Sequence, residues 1–250
     1  MKHFFALGLY SALAFVGPGV ARGQGATSGS NPLVGWLRLS TETTLRGPWS
    51  LYAEVETRQG NTQLTAQQLG RVGLRWRLGP SFSFTTGYVL AYNQARPDDP
   101  GRPLPEHRFY QEVALTETSG RLRVGHRLRA EERWLRPSTE AAFHFAPRLR
   151  YQLRLVAPLQ REGKLPVGTF YAVAADELFA GLGASTGRSF LEENRASLGL
   201  GYRLNRHLHA ELAYLYQTQS TGPQGEAASR SALQASVAFV PSQSLALVRR

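Results

Sequence analysis

The chain has 250 residues, no cysteine and a formal charge of +11, with 29 Lys and Arg against 18 Asp and Glu. The lack of cysteine excludes disulfides, thiolate metal sites and an acylated lipoprotein cysteine. The basic charge is almost wholly arginine, Lys2 and Lys164 being the only lysines. The arginines alternate with glutamates rather than forming a patch, which argues against nucleic acid as a partner.

Lys2 and His3 precede an apolar stretch over residues 4–16, and Ala21-Arg22-Gly23 offers small residues before Gln24. This pattern predicts a secretory signal peptide over residues 1–23, because the apolar stretch is shorter than the roughly 20 residues of a spanning helix. Residues 24–32, rich in Gly and Ser, read as a flexible lead-in, and residues 33–250 as one all-β domain. No later apolar run has the length of a helical span, so membrane residence would have to be by barrel.

From about residue 33 to 241 the sequence keeps a period of two. Successive strand side chains point to opposite faces, so each segment has one apolar and one polar row. The first places Leu37, Leu39, Thr41, Thr43 and Leu45 opposite Arg38 and Glu42. After Arg46-Gly47-Pro48 the second places Trp49, Leu51, Ala53 and Val55 opposite Glu54, Glu56 and Arg58. Leu74, Trp76 and Leu78 then face away from Arg71, Arg75 and Arg77, and a Gly79-Pro80 turn leads to Phe82, Phe84, Tyr88, Leu90 and Tyr92.

Residues 95–105 read as a long exposed loop. Next come Phe109, Val113 and Leu115 against Glu106, Arg108, Tyr110 and Glu112, with a turn at Ser119-Gly120. Over residues 122–134 the alternation is clearest, with Leu122, Val124, Leu128, Ala130 and Trp134 on even numbers and Arg123, Arg127, Arg129, Glu131 and Arg133 on odd ones. A helix would spread those charges around its circumference and leave no apolar stripe. Phe143, Phe145, Leu149, Tyr151, Leu153 and Leu155 follow against Arg148, Arg150, Gln152 and Arg154, and Pro147 predicts a bulge or strand end.

Residues 170–179 are ambiguous, because Asp176 and Glu177 are adjacent and one must leave the charged row. Glu177 and Phe179 are expected to bracket a rim. Leu198 to Leu204 on even numbers, then Leu208, Leu212, Tyr214 and Tyr216, and finally Leu233, Val237 and Phe239 complete eleven segments. Short and long connections alternate in most of the chain, as in outer-membrane barrels, whose strand number is normally even. The expected fold is a single up-and-down antiparallel transmembrane β-barrel of about twelve strands, with ten as the alternative. Residues 242–250 or the region before Trp36 would supply the missing strand.

Parity alone leaves open which row faces inward, and a soluble barrel would put the apolar row inside. Three features favour the inverted, membrane arrangement. The segments reach the roughly 9–11 residues of a tilted spanning strand. Trp36, Trp49, Trp76, Tyr92, Trp134, Tyr202 and Tyr216 sit near segment ends, where interfacial aromatic girdles lie. The charged row uses arginine, which suits enclosed bidentate pairing with carboxylates. Glu54, Glu56, Arg58, Arg71, Arg75, Glu106, Arg108, Glu112, Arg127, Arg129, Glu131, Arg133, Arg148, Arg150, Glu177, Arg195 and Glu211 are therefore the candidate lumen ion pairs and binding residues. They would fill the lumen and leave it largely occluded.

Five segments, Glu106-His107-Arg108-Phe109-Tyr110-Gln111, the run from His126 to Arg133, Arg148-Leu149-Arg150-Tyr151, Asp176-Glu177-Leu178-Phe179 and Glu193-Asn194-Arg195, stand in the order and approximate spacing of the DUF2490 family. The chain resembles that family over nearly all of its mature length, departing where Asp176 replaces an expected Asn. The resemblance implies a Gram-negative outer-membrane β-barrel but no reaction, substrate or cofactor.

No catalytic or metal constellation is recognisable. A lipid-modifying barrel enzyme would need His and Ser together at one rim, and His107, His126, His144, His207 and His209 show no such spacing. His207 and His209 lack a third metal ligand and read as a polar turn. Gly199 and Gly201 lack the following helix of a phosphate loop and read as easing curvature or admitting a bulky neighbour. The expected role is a structural barrel or small anion-preferring channel without cofactor, whose partners are outer-membrane lipid, lipopolysaccharide and the outer-membrane assembly machinery. An outer-membrane lipid-modifying enzyme and a soluble periplasmic ligand-binding barrel are the alternatives.

Overall fold

The alternation of residue types is realised as strands throughout. The computed structural model describes residues 33–60, 66–94, 102–136, 138, 140–160, 165–182, 190–220 and 227–240. The expected signal peptide (1–23), the lead-in (24–32), residues 95–101 of the expected loop and the strand expected in 242–250 lie outside these residues. The elements are β1 (Val34–Thr44), β2 (Trp49–Arg58), β3 (Gln67–Arg77), β4 (Phe82–Asn93), β5 (Leu104–Ser119), β6 (Leu122–Leu135), β7 (His144–Phe145), β8 (Arg148–Pro158), β9 (Thr169–Gly181), β10 (Leu191–Arg203), β11 (Leu208–Ser220) and β12 (Ala227–Phe239).

Each wall strand pairs antiparallel with its neighbours in sequence, and β1 closes the ring by pairing with β12 in parallel. The wall is an up-and-down barrel of eleven strands, the eleven segments of the sequence pattern, and β7 is the twelfth strand. An odd number of alternating strands leaves the first and last pointing the same way, so the seam has to be parallel. The extra strand does not come from before Trp36, where β1 merely extends to Val34. It is a two-residue piece on β6, separated from β8 by Ala146 and Pro147, the strand break that Pro147 predicts.

Connections 45–48, 78–81, 120–121 and 204–207 are tight and share one mouth of the barrel with the ends of β8 and β9 at Pro158 and Thr169. Gly47 and Gly120, with φ of 56° and 58°, take the left-handed conformation those tight turns require. The strand ends joined through 59–66, 94–103, 136–147, 182–190 and 221–226 lie at the opposite mouth.

The two rows separate cleanly, the apolar one outside and the charged one inside. Leu198 is 66% exposed, Leu212 56% and Val55 56%, whereas Glu131 is 1% and Glu56 3% exposed. Aromatic side chains band the outside near both mouths. Trp49 stacks on Trp76 at 5.6 Å and Phe170 meets Tyr202 at 4.5 Å near the tight turns. Tyr88, His107, Phe109, Trp134, Phe143 and Phe145 form a continuous run near the other mouth. Trp36 departs from its expected girdle position. It is 2% exposed and points inward, because it falls on the parity of Arg38 rather than that of Leu37 and Leu39.

Inside, two tyrosines lie flat against glycines of the wall. Tyr110 of β5 is in register with Gly87 of β4 and Gly73 of β3, and Tyr171 of β9 with Gly201 of β10. A Cβ on Gly201 would collide with the Tyr171 ring, and one on Gly87 would press on the Val72 carbonyl and come 2.7 Å from Tyr110 Cε1. Gly70 faces outward with nothing within 4 Å of such a Cβ. Gly87→Ala should therefore destabilise the refolded barrel by about 1–3 kcal/mol in urea unfolding. Gly70→Ala should leave it within about 0.5 kcal/mol or more stable.

Candidate functional site

The inward row follows from register. Glu54 and Glu56 of β2 lie between Arg38 of β1 and Arg71 of β3, so each carboxylate finds a guanidinium on a neighbouring strand. Glu56 accepts from Arg38 at 3.1 Å and from Arg58 at 2.7 Å, and Glu54 accepts from Arg71 at 2.7 Å and from Tyr52. Farther around the wall, Glu106 takes Arg108 through two bonds of 2.9 and 3.0 Å and Arg133 at 2.6 Å.

The centre is one connected chain of charges. Glu131 accepts from Arg148 and Arg150, both at 2.6 Å, and Arg150 also donates to Glu177 at 2.7 Å. Glu177 in turn takes Arg127 at 2.6 Å, and Arg127 lies 3.8 Å from Glu112, which is held by Arg129 with an Nε contact of 2.8 Å. Some links skip strands. Arg127 of β6 reaches β9, and Arg154 of β8 reaches Glu211 of β11.

Aromatic rings fill what the charges leave. Trp36 has the guanidinium carbons of Arg58 and Arg230 each 4.9 Å from its ring centroid and that of Arg195 at 5.3 Å. Phe179, fully buried, carries Arg150 and Arg195 at 4.6 Å and Arg148 at 5.0 Å. Tyr110 lies under Arg129 at 4.7 Å. A guanidinium donates through its edge while its flat, weakly hydrated face rests on a ring. An ammonium has neither the flat face nor the paired edge donors, which gives the near-absence of lysine a physical reason.

All seventeen candidate residues from the sequence lie on the inner face. Most join the central lattice or the Glu54–Glu56 and Glu106 groups, Arg195 pairs with Glu193, and Glu211 sits apart near the tight-turn mouth with Arg154. Arg38 and Glu42, which the alternation already puts on the polar row, and Glu193 also belong to the inner network although they are outside the candidate set, and Trp36 and Phe179, expected at rims, are inside. Parity was the available signal, since all five share the charged row of their strands. Of the adjacent acids in β9, Glu177 stays inside and Asp176 turns outward to accept from Asn194 at 2.8 Å.

The histidines are dispersed. His126 shares a 2.8 Å hydrogen bond with Tyr151 on the outer face, and His107 likewise bonds Tyr88 there. His207 bonds the Val240 carbonyl at 3.0 Å, while His209, two residues on, lies opposite Arg203 in the ladder. Among the described residues no group of three His, Asp or Glu gathers at metal-ligand spacing.

The chain belongs to the DUF2490 family, whose model, described as a protein of unknown function, matches residues 34–226. The matched region begins with β1 and ends just before β12. No curated protein matches the chain.

Removing one partner of a buried ion pair costs more than the pair is worth, because the other charge remains enclosed. Glu131→Gln, which strips the carboxylate from Arg148 and one of two from Arg150, should destabilise the barrel by about 3–5 kcal/mol in urea unfolding. Asp176→Asn, on the outer face, should change it by less than about 1 kcal/mol.

Proposed function

We propose that this DUF2490 member is a barrel of the Gram-negative outer membrane whose lumen is closed at mid-height by the arginine and glutamate lattice. It acts as a binding or structural barrel with a narrow, anion-preferring interior rather than as a wide pore. The observation that carries this reading is the direction of the two rows, with Leu198, Leu200, Leu212 and Leu233 outside and Glu56, Glu112, Glu131 and Glu177 inside. A soluble carrier barrel would have the reverse. Wall strands of 10 to 16 residues match the length needed to cross a bilayer at a tilt, and the two aromatic bands stand where headgroups would be.

In that setting the partners are acyl chains around the wall, lipopolysaccharide at one interface and the assembly machinery that inserts barrels. The signal peptide expected from the sequence supplies export. The lipid-modifying alternative requires a His beside a nucleophile at one rim, and the outward His107 and His126 are engaged with tyrosines.

The expressed protein should fractionate with outer membranes and run faster on a gel unheated than boiled. Recovery as a soluble periplasmic protein would defeat the proposal. In planar bilayers the wild type should hold a closed baseline, with any small openings favouring anions because arginines exceed glutamates inside. A steady conductance of large-pore size would contradict the closed lumen.

A further inference from the structure

On the β6–β11 side the tight-turn mouth has more cations than carboxylates, whereas on the β1–β3 side Glu42 takes both Arg75 and Arg77. Arg121, in the turn between β5 and β6, donates to the carbonyls of Pro158, at 2.9 Å, and Gln160. Arg203, at the end of β10, donates to the Leu165 carbonyl, and its Nε is buried without a partner. Arg123, the second residue of β6, is exposed and has no hydrogen bond or ion pair among the described residues. Arg154 pairs with Glu211, which also accepts from Tyr171 Oη at 2.9 Å. Four guanidiniums thus share one carboxylate.

Register puts these groups on one continuous inner patch. Arg123 is opposite Val156, two residues from Arg154 on the same face. Tyr171 is opposite both Pro158 and Gly201, and Gly201 is opposite Glu211 and two residues from Arg203. Same-face neighbours on adjoining strands, offset by two residues, stand about 7–8 Å apart, a spacing two oxyanion groups of one ligand can bridge. Bonds to neutral carbonyls fix the direction of Arg121 and Arg203 without cancelling their charge, so the patch is ordered before any anion arrives. The lattice beyond it closes the lumen, and an anion drawn in has nowhere to pass.

We infer that the tight-turn mouth is a blind cup that binds a small soluble polyanion bearing phosphate or several carboxylate groups. Guanidiniums recognise such groups through paired N–H donors, and lipid tails cannot reach a cup that faces the barrel axis. The inference rests on the closed-barrel reading above, because only a closed lumen turns this mouth into a terminus.

The test is calorimetric titration of the full mature barrel in detergent with inorganic pyrophosphate. Saturable binding is expected, about tenfold weaker in Arg123→Gln, whose side chain has no partner to lose in the fold. It should be tighter in Glu211→Gln, which removes the competing carboxylate. Heat-modifiable migration of each protein reports independently that the barrel is formed. Absence of saturable binding to a heat-modifiable wild type overturns the cup and leaves the barrel reading standing, as does an affinity unchanged by Arg123→Gln or weakened by Glu211→Gln. A wild type that is not heat-modifiable counts against the barrel reading itself.

Discussion

The structure depends on one constraint: a charge enclosed by the wall cannot stand alone. An unpaired buried ion costs several kcal/mol, so each inward glutamate has to meet a guanidinium. Its partners come from two residues along the same strand, from an adjoining strand or from one farther round the wall. Glu131 between Arg148 and Arg150, and Glu177 between Arg150 and Arg127, draw together β6, β8 and β9. The lattice is thus both the filling of the barrel and a lock on its register. A one-residue slip of β6 or β8 would turn its arginines outward and leave the facing glutamates unpaired.

The same constraint accounts for the rings inside. Trp36, Tyr110 and Phe179 look misplaced among ions, yet each supplies a face on which arginines rest while their edges serve carboxylates. Glycines at 73, 87 and 201 make the room, since any side chain there would collide with a tyrosine lying along the wall. Toward the tight turns the balance changes, and backbone carbonyls replace glutamates as acceptors for Arg121 and Arg203. The interior is a graded one, its arginines paired with glutamates at mid-height and held by carbonyls at one mouth.

Much of this was legible in the sequence because a period of two is hard to mistake over eleven strands, and each of the eleven segments became a wall strand. The charged row named most of the inward ion-paired residues directly. What pattern could not supply was anything set by closure or by contacts between non-adjacent strands. The even strand number assumed for such barrels gave way to a parallel seam between β1 and β12, a property of the ring as a whole. Trp36 was misjudged because its position near a segment end outweighed its parity. In β9 the choice between Asp176 and Glu177 needed Arg127 and Arg150, which reach Glu177 from two other strands. The glycine pairing of Gly201 with Tyr171 needed the register of β9 and β10.

The central claim is that the apolar row meets acyl chains and the ionic row is enclosed. The absence of native cysteine allows a single reporter to be placed at will. Leu198→Cys and Leu212→Cys lie on the outer row, Ser197→Cys and Ala213→Cys on the inner. With a fluorophore on each cysteine and the barrel in vesicles of brominated lipid, the account predicts strong quenching at 198 and 212 and little at 197 and 213. Equal quenching at all four positions, or quenching confined to 197 and 213, would contradict it.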